Sequence, residues 1–248
     1  MASRVLCEDH MRNRANFIVC AGPAAIAMWF IYGFVFNYLG PDPGRFGIYQ
    51  PRREWLIMHI LAGTVAILLG PLQFWLGLSR RTAILHRVLG IGYVTAVGVS
   101  GAAALYLAFH TDFGWVFGLG LAAMACVWLV TTGFATISIC LRLTAQHLEW
   151  MIRSYIVTFS FVTFRVLTMF FEIFRVGTLV DRMTAASWLA WSVPLFVTET
   201  ILQGRKIFAR PIRVVSEAPL QAGNAYSASP AQLAFDLHNS ESSYPHQL

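Results

Sequence analysis

Long apolar runs separated by short charged clusters dominate the chain, and the gaps between charges mark the elements. A helix needs about 20 apolar residues to cross the hydrocarbon core of a bilayer. No charge interrupts Phe17–Tyr38, which makes a first span. Between Glu54 and Arg80 the only ionisable residue is His59, giving Trp55–Leu76. His86–Phe109 follows, then a tight turn through His110, Thr111, Asp112 and Phe113, then Gly114–Ile139. Trp150–Phe174 is a fifth span, interrupted by Arg165 and Glu172, and Ala186–Gln203 is a sixth that carries Glu199. The expected fold is an all-α integral membrane bundle of about six transmembrane helices occupying 17–203. Residues 1–16 precede it, and 204–248 form a basic juxtamembrane segment and a polar tail rich in Ser, Ala and Pro that reads as disordered.

Residues one helical turn apart share a face. On the second span His59, Gly63, Ala66, Gly70 and Gln73 form a stripe of small residues with a polar residue at each end. On the third, His86, Gly90, Tyr93, Val97, Gly101 and Ala104 form another. Such stripes allow either close helix packing or a groove for a flat lipophilic molecule. Pro71 bends the second span and frees a backbone carbonyl.

Composition agrees. Of 248 residues 57% are apolar and 12% charged, with a mean hydropathy of +0.60. A soluble domain of this size has no core large enough to hide that surface. The first apolar run has no clear small-residue cleavage site and reads as a retained span rather than a cleaved leader. Cys7, Cys20, Cys126 and Cys140 have no CxxC spacing and read as reduced thiols in or beside apolar segments. The eight Trp residues read mostly as interfacial belts.

Charge placement sets the orientation. With a cytoplasmic N-terminus, twelve Lys and Arg residues fall on the cytoplasmic side and five on the other, while Arg165 lies within the bilayer. Both termini are therefore expected inside. Gly40–Glu54 is the only sizeable outer loop. The basic segment Gly204–Arg213 reads as a topology signal beside anionic headgroups, with no nucleic acid as partner.

Ionisable groups within the bilayer are costly and normally face the interior. Two polar layers are expected: His59, Arg165 and Glu172 in an outer one, and Gln73, His86, His147, Glu149, Arg153 and Glu199 in an inner one. No GxSxG, Walker loop, GxGxxG, HExxH or Asp-rich prenyl-diphosphate motif is present.

His59-Ile-Leu-Ala-Gly63 through Gly70-Pro-Leu-Gln-Phe74, His86-Arg87-Val-Leu-Gly90 with Tyr93, and Trp128-Leu-Val-Thr-Thr132 form one set of motifs. His147, Trp150-Met-Ile-Arg-Ser-Tyr155, Arg165 and Glu199 complete it. Together they resemble the predicted membrane proteins of domain of unknown function 2306 over about Trp55 to Arg205. That family's usual His-Arg pair is His147-Leu148 here. The resemblance implies about six helices and no particular reaction.

Two further analogies suggest chemistry. The bundle is similar to integral-membrane terpene cyclases, which implies proton-initiated cyclisation of a lipophilic isoprenoid without a cofactor or metal. Glu199 or Glu172 would then be the acid, Arg153 and Arg165 would position the head group, and Tyr155, Phe161, Phe164, His59 and Gln73 would line the cavity. Alternatively, the His-Arg-x-x-Gly start of the third span resembles membrane cytochromes, with His86 and His147 holding haem b between helices. A third reading is a non-catalytic membrane subunit.

Overall fold

The computed structural model describes residues 21–36, 43–79 and 83–208. The ends of the first predicted span, the N-terminal segment, Cys7, Cys20 and the tail beyond Phe208 lie outside the described residues. Every regular element among the described residues is helical. They run α1 (Ala21–Val35), α2 (Pro43–Arg52), α3 (Arg53–Ser79), α4 (Ala83–Phe109), α5 (Trp115–Cys140), α6 (Thr144–Thr158), α7 (Ser160–Ile173) and α8 (Leu179–Phe208). Five segments are long and apolar enough to cross a membrane: Tyr49–Gly77, Ala83–Phe109, Trp115–Cys140, Thr144–Ile173 and Leu179–Phe208. The chain is a multi-pass membrane protein. Its many exposed Leu, Ile, Val and Phe side chains form the surface that meets lipid.

Short connections make successive helices neighbours, so α3 packs on α4, α4 on α5 and α5 on α6. The end of the bundle that bears α2 is called the upper end below. There Arg52 reaches Asp112 at 3.5 Å, and Trp55, Tyr106 and His110 stack in succession.

The predicted Gly40–Glu54 loop contains the 3-10-wound α2, kinked at Gly47, whose φ of 48° a side chain would strain. The sixth span begins earlier than expected. Thr178-Leu-Val-Asp181 makes a reciprocal cap, with Asp181 N–H on Thr178 Oγ1 (3.3 Å) and Thr178 N–H on Asp181 Oδ2 (2.9 Å). That capping box was legible in the sequence and outweighs the charges of Asp181 and Arg182 as a boundary signal.

The fifth span begins at Thr144 and breaks at Phe159 into α6 and α7. Two hydroxyls interfere with the backbone ladder there: Thr158 Oγ1 donates to the Ser154 carbonyl (2.9 Å) and Ser160 Oγ to that of Ile156 (3.4 Å). Such back-bonding bends helices. Thr158 turns into the core.

That core is polar at its centre. Trp128 Nε1 donates to Thr158 Oγ1 (2.8 Å), and Tyr93 Oη lies 2.8 Å from both Thr158 Oγ1 and Ser154 Oγ. Ser154 Oγ lies 2.7 Å from Thr132 Oγ1, which donates to the Trp128 carbonyl (2.8 Å). These five contacts link the Trp128 indole, the hydroxyls of Thr158, Tyr93, Ser154 and Thr132, and the Trp128 carbonyl in one circuit, and so join α4, α5 and α6. Trp128, expected in an interfacial belt, is 2% exposed in this core. Cys126 and Cys140, by contrast, are free and exposed.

The Pro71 carbonyl defect is also met from within the bundle. A proline at 71 cannot bond the carbonyl of Ile67, and Tyr155 Oη donates to that oxygen at 3.2 Å. Tyr155 reaches it by lying flat on Gly70, where any Cβ would collide with the ring.

Two outcomes follow for stability in micelles. Tyr93→Phe removes the middle of the hydroxyl chain and is expected to cost about 1–2 kcal/mol in reversible denaturation. Gly70→Ala is expected to lower the folded yield sharply. Gly133→Ala, where a Cβ meets nothing within 4 Å, should be neutral or slightly stabilising.

Candidate functional site

A cavity of about 200 Å³ opens in the upper half of the bundle. Its walls come from α1 (Phe30, Phe34), α3 (His59 to Ile67), the end of α4, the start of α5 (Phe117, Leu121, Met124) and α7 (Phe161, Phe164, Arg165). On α7 the spacing i, i+3, i+4 puts Phe161, Phe164 and Arg165 on one face.

Four predicted site residues meet here: His59, Phe161, Phe164 and Arg165. The His59 ring lies 4.9 Å from that of Phe161, and its Nδ1 is 3.0 Å from the Ser100 carbonyl. The Arg165 guanidinium sits 5.7 Å from the Phe34 ring centre, within cation–π range. Its depth follows from position, about 12 Å along α7 from Ile173. Phe30, Phe34 and Phe117 were not anticipated. Their signals were the i, i+4 pair Phe30/Phe34 and the stripe Phe117, Leu121, Met124, which read equally well as lipid-facing.

The other predicted residues lie elsewhere. Tyr155 does not line the cavity, because its hydroxyl and ring are committed to the Pro71 bend. Gln73, 4% exposed, donates from Nε2 to the His86 carbonyl (3.0 Å) and ties α3 to α4. Glu172 lies two turns beyond Arg165, about 10 Å along the axis, and is exposed at the end of α7. The outer layer is thus His59 and Arg165 without Glu172.

Glu199 is further still. Met183 of α8 touches the cavity, and Glu199 lies sixteen residues on, about 24 Å along the helix. The sequence placed Glu199 in the inner polar layer with Glu149 and Arg153, facing the interior. Instead its side chain is 40% exposed, and Oε1 accepts from Gln203 Nε2 at 2.6 Å. Its Oε2 takes Nε and an η-nitrogen of Arg153, both at 2.7 Å. Arg153, 10% exposed at the side chain, also approaches Glu149 at 3.6 Å and stacks 4.8 Å from the Trp150 ring centre. Lys206 closes the network on Glu149 at 2.6 Å. A carboxylate bonded to a guanidinium in this way is ionised and has no proton to give.

His147 donates Nδ1–H to the Ala135 carbonyl (2.8 Å), as a haem-ligating imidazole commonly does. His86 does not match that pattern, since its Nδ1 is buried without a partner. The pair fits a haem on one side only. No group of three or more metal-ligating side chains occurs among the described residues.

The family model of predicted membrane proteins of domain of unknown function 2306 matches residues 56–202. It takes in α3 to α7 and most of α8, and leaves out α1 and α2. The cavity therefore combines matched helices with a wall, Phe30 and Phe34, that the match does not cover. No curated protein and no solved structure matches the chain.

The Arg153 network makes a clear demand on Glu199. Glu199→Gln is expected to cost about 1 kcal/mol or less, because the carboxylate is partly solvated. Thermal unfolding of the variant beside the unaltered protein checks it.

Proposed function

We propose that this chain, which belongs to the family of predicted membrane proteins of domain of unknown function 2306, holds a lipophilic small molecule in its upper cavity. The single observation that carries the reading is the composition of the cavity wall. Aromatic rings and aliphatic side chains surround a space where His59 and Arg165 present polar groups, in the pattern typical of small-molecule sites. In this reading 17–203 is the transmembrane domain and both termini are cytoplasmic, as the distribution of basic residues favours.

Proton-initiated cyclisation is the weaker form of the proposal. A general acid must come within hydrogen-bond reach of the atom it protonates, and among the described residues no Asp or Glu lines the cavity. The volume, about 200 Å³, is also below the 300–1,000 Å³ usual for a drug-sized ligand. A binding site for the head of a longer molecule accounts for both facts.

Photolabelling with an alkyl diazirine in nanodiscs tests the reading. Label is expected to concentrate on the cavity peptides of α3, α5 and α7. Leu121→Trp, which fills the space from α5, should lower that label about tenfold without changing the melting temperature. Label spread evenly over lipid-facing residues such as Val130 and Val193 would defeat the proposal.

A further inference from the structure

We propose that the cavity takes the head of a quinol-class lipid, a flat ring that offers a hydroxyl donor to His59 Nε2 and an acceptor oxygen to Arg165. The inference rests on the cavity being a ligand site and goes further by naming the ligand's chemistry.

The argument starts at Ser100. Its carbonyl can only accept, so the 3.0 Å contact places a hydrogen on His59 Nδ1. Ser100 Oγ spends its one hydrogen on the His59 carbonyl at 2.9 Å, so it too accepts at 3.1 Å from the same Nδ1–H. The neutral ring then carries its lone pair on Nε2, to which no group among the described residues is bonded. His59 therefore calls for a donor. Arg165 calls for an acceptor, since a guanidinium has five N–H donors and no lone pair to offer, and can serve a ligand beside any protein partner.

Other wall groups narrow the choice. The hydroxyls of Thr64 and Ser160 donate to the carbonyls of Ile60 and Ile156, at 2.7 and 3.4 Å. Among the described residues no carboxylate lines the wall, so a cationic head finds no counter-charge there. Rings of Phe34, Phe117, Phe161 and Phe164 face the same space and suit an aromatic ligand, edge or face on. The small volume fits a ring and the first carbons of a chain, with the remainder of the chain in the bilayer.

The test is a ligand series on the unaltered protein in nanodiscs, read by isothermal titration. Its members are decylhydroquinone kept reduced under argon, its dimethyl ether, decanoic acid and decylbenzene. Decylhydroquinone is expected to bind at least about tenfold more tightly than the ether, which keeps both acceptor oxygens but has no donor. His59→Phe should abolish that preference, and the wild-type series decides the matter even if this variant folds poorly. Equal affinity for hydroquinone and ether overturns the assignment of the head while decylbenzene binding keeps the cavity as a lipophilic site. Tightest binding by decanoic acid overturns it in favour of a carboxylate. Failure of all four, decylbenzene included, removes the ligand site itself.

Discussion

The hydroxyl chain that begins and ends on Trp128 is the interaction on which the rest of the arrangement depends. In a bilayer core an unmet polar group has no water to turn to. Tyr93, Ser154, Thr158 and Thr132 must therefore meet one another, and they do so at 2.7–2.8 Å. Helices α4, α5 and α6 are locked in one register, with Thr158 drawn inward at the last residue of α6. Beyond the turn at Phe159, Phe161, Phe164 and Arg165 of α7 line the cavity.

The same accounting explains the division of labour between two tyrosine-bearing motifs. Pro71 creates an orphan carbonyl at Ile67, and the bundle answers with Tyr155 on Gly70 rather than with water. Aromatic residues in these motifs thus split by duty. Tyr155 and Tyr93 close backbone and hydroxyl deficits, while Phe161 and Phe164, having no polar atoms to satisfy, are free to form an apolar wall. Apart from Tyr49, the described aromatic side chains of Phe and Tyr that line the cavity carry no hydroxyl that would need a partner.

Sequence patterning reveals the spans because the cost of a charge in hydrocarbon is large compared with every local preference, and gaps between charges therefore mark helices. It also identifies His59 and Arg165, since ionisable groups at depth must face inward. The central network escapes such reading. A Ser or Thr on a membrane helix can always return its hydrogen to its own backbone, as Thr64, Thr136 and Thr198 do. Nothing in the spacing of Thr132, Ser154 and Thr158 distinguishes them from those. Trp128 is misplaced for a related reason, because its indole N–H serves a belt or a buried hydroxyl equally well. Glu199 is misjudged because depth along one helix carries no information about how a neighbouring Arg turns.

Where the carboxylates are spent decides what the cavity can do. Glu199 and Glu149 are held by Arg153 and Lys206, Asp112 by Arg52, and Asp181 by the cap of α8, while Glu172 lies exposed beyond the site. A general acid contributes roughly 10²–10⁴-fold only from hydrogen-bond distance, and Glu199 sits about 24 Å along α8 from the residue that touches the cavity. No rotamer spans that gap. The described polar groups beside the cavity include one pinned imidazole with an accepting nitrogen and one guanidinium with donors, set against aromatic faces. Such a pair discriminates by hydrogen-bond complementarity, because a molecule that matches one group and not the other leaves a polar atom stranded in an apolar enclosure. Under the proposed reading the cavity therefore selects a lipophilic molecule by its head rather than delivering a proton to it.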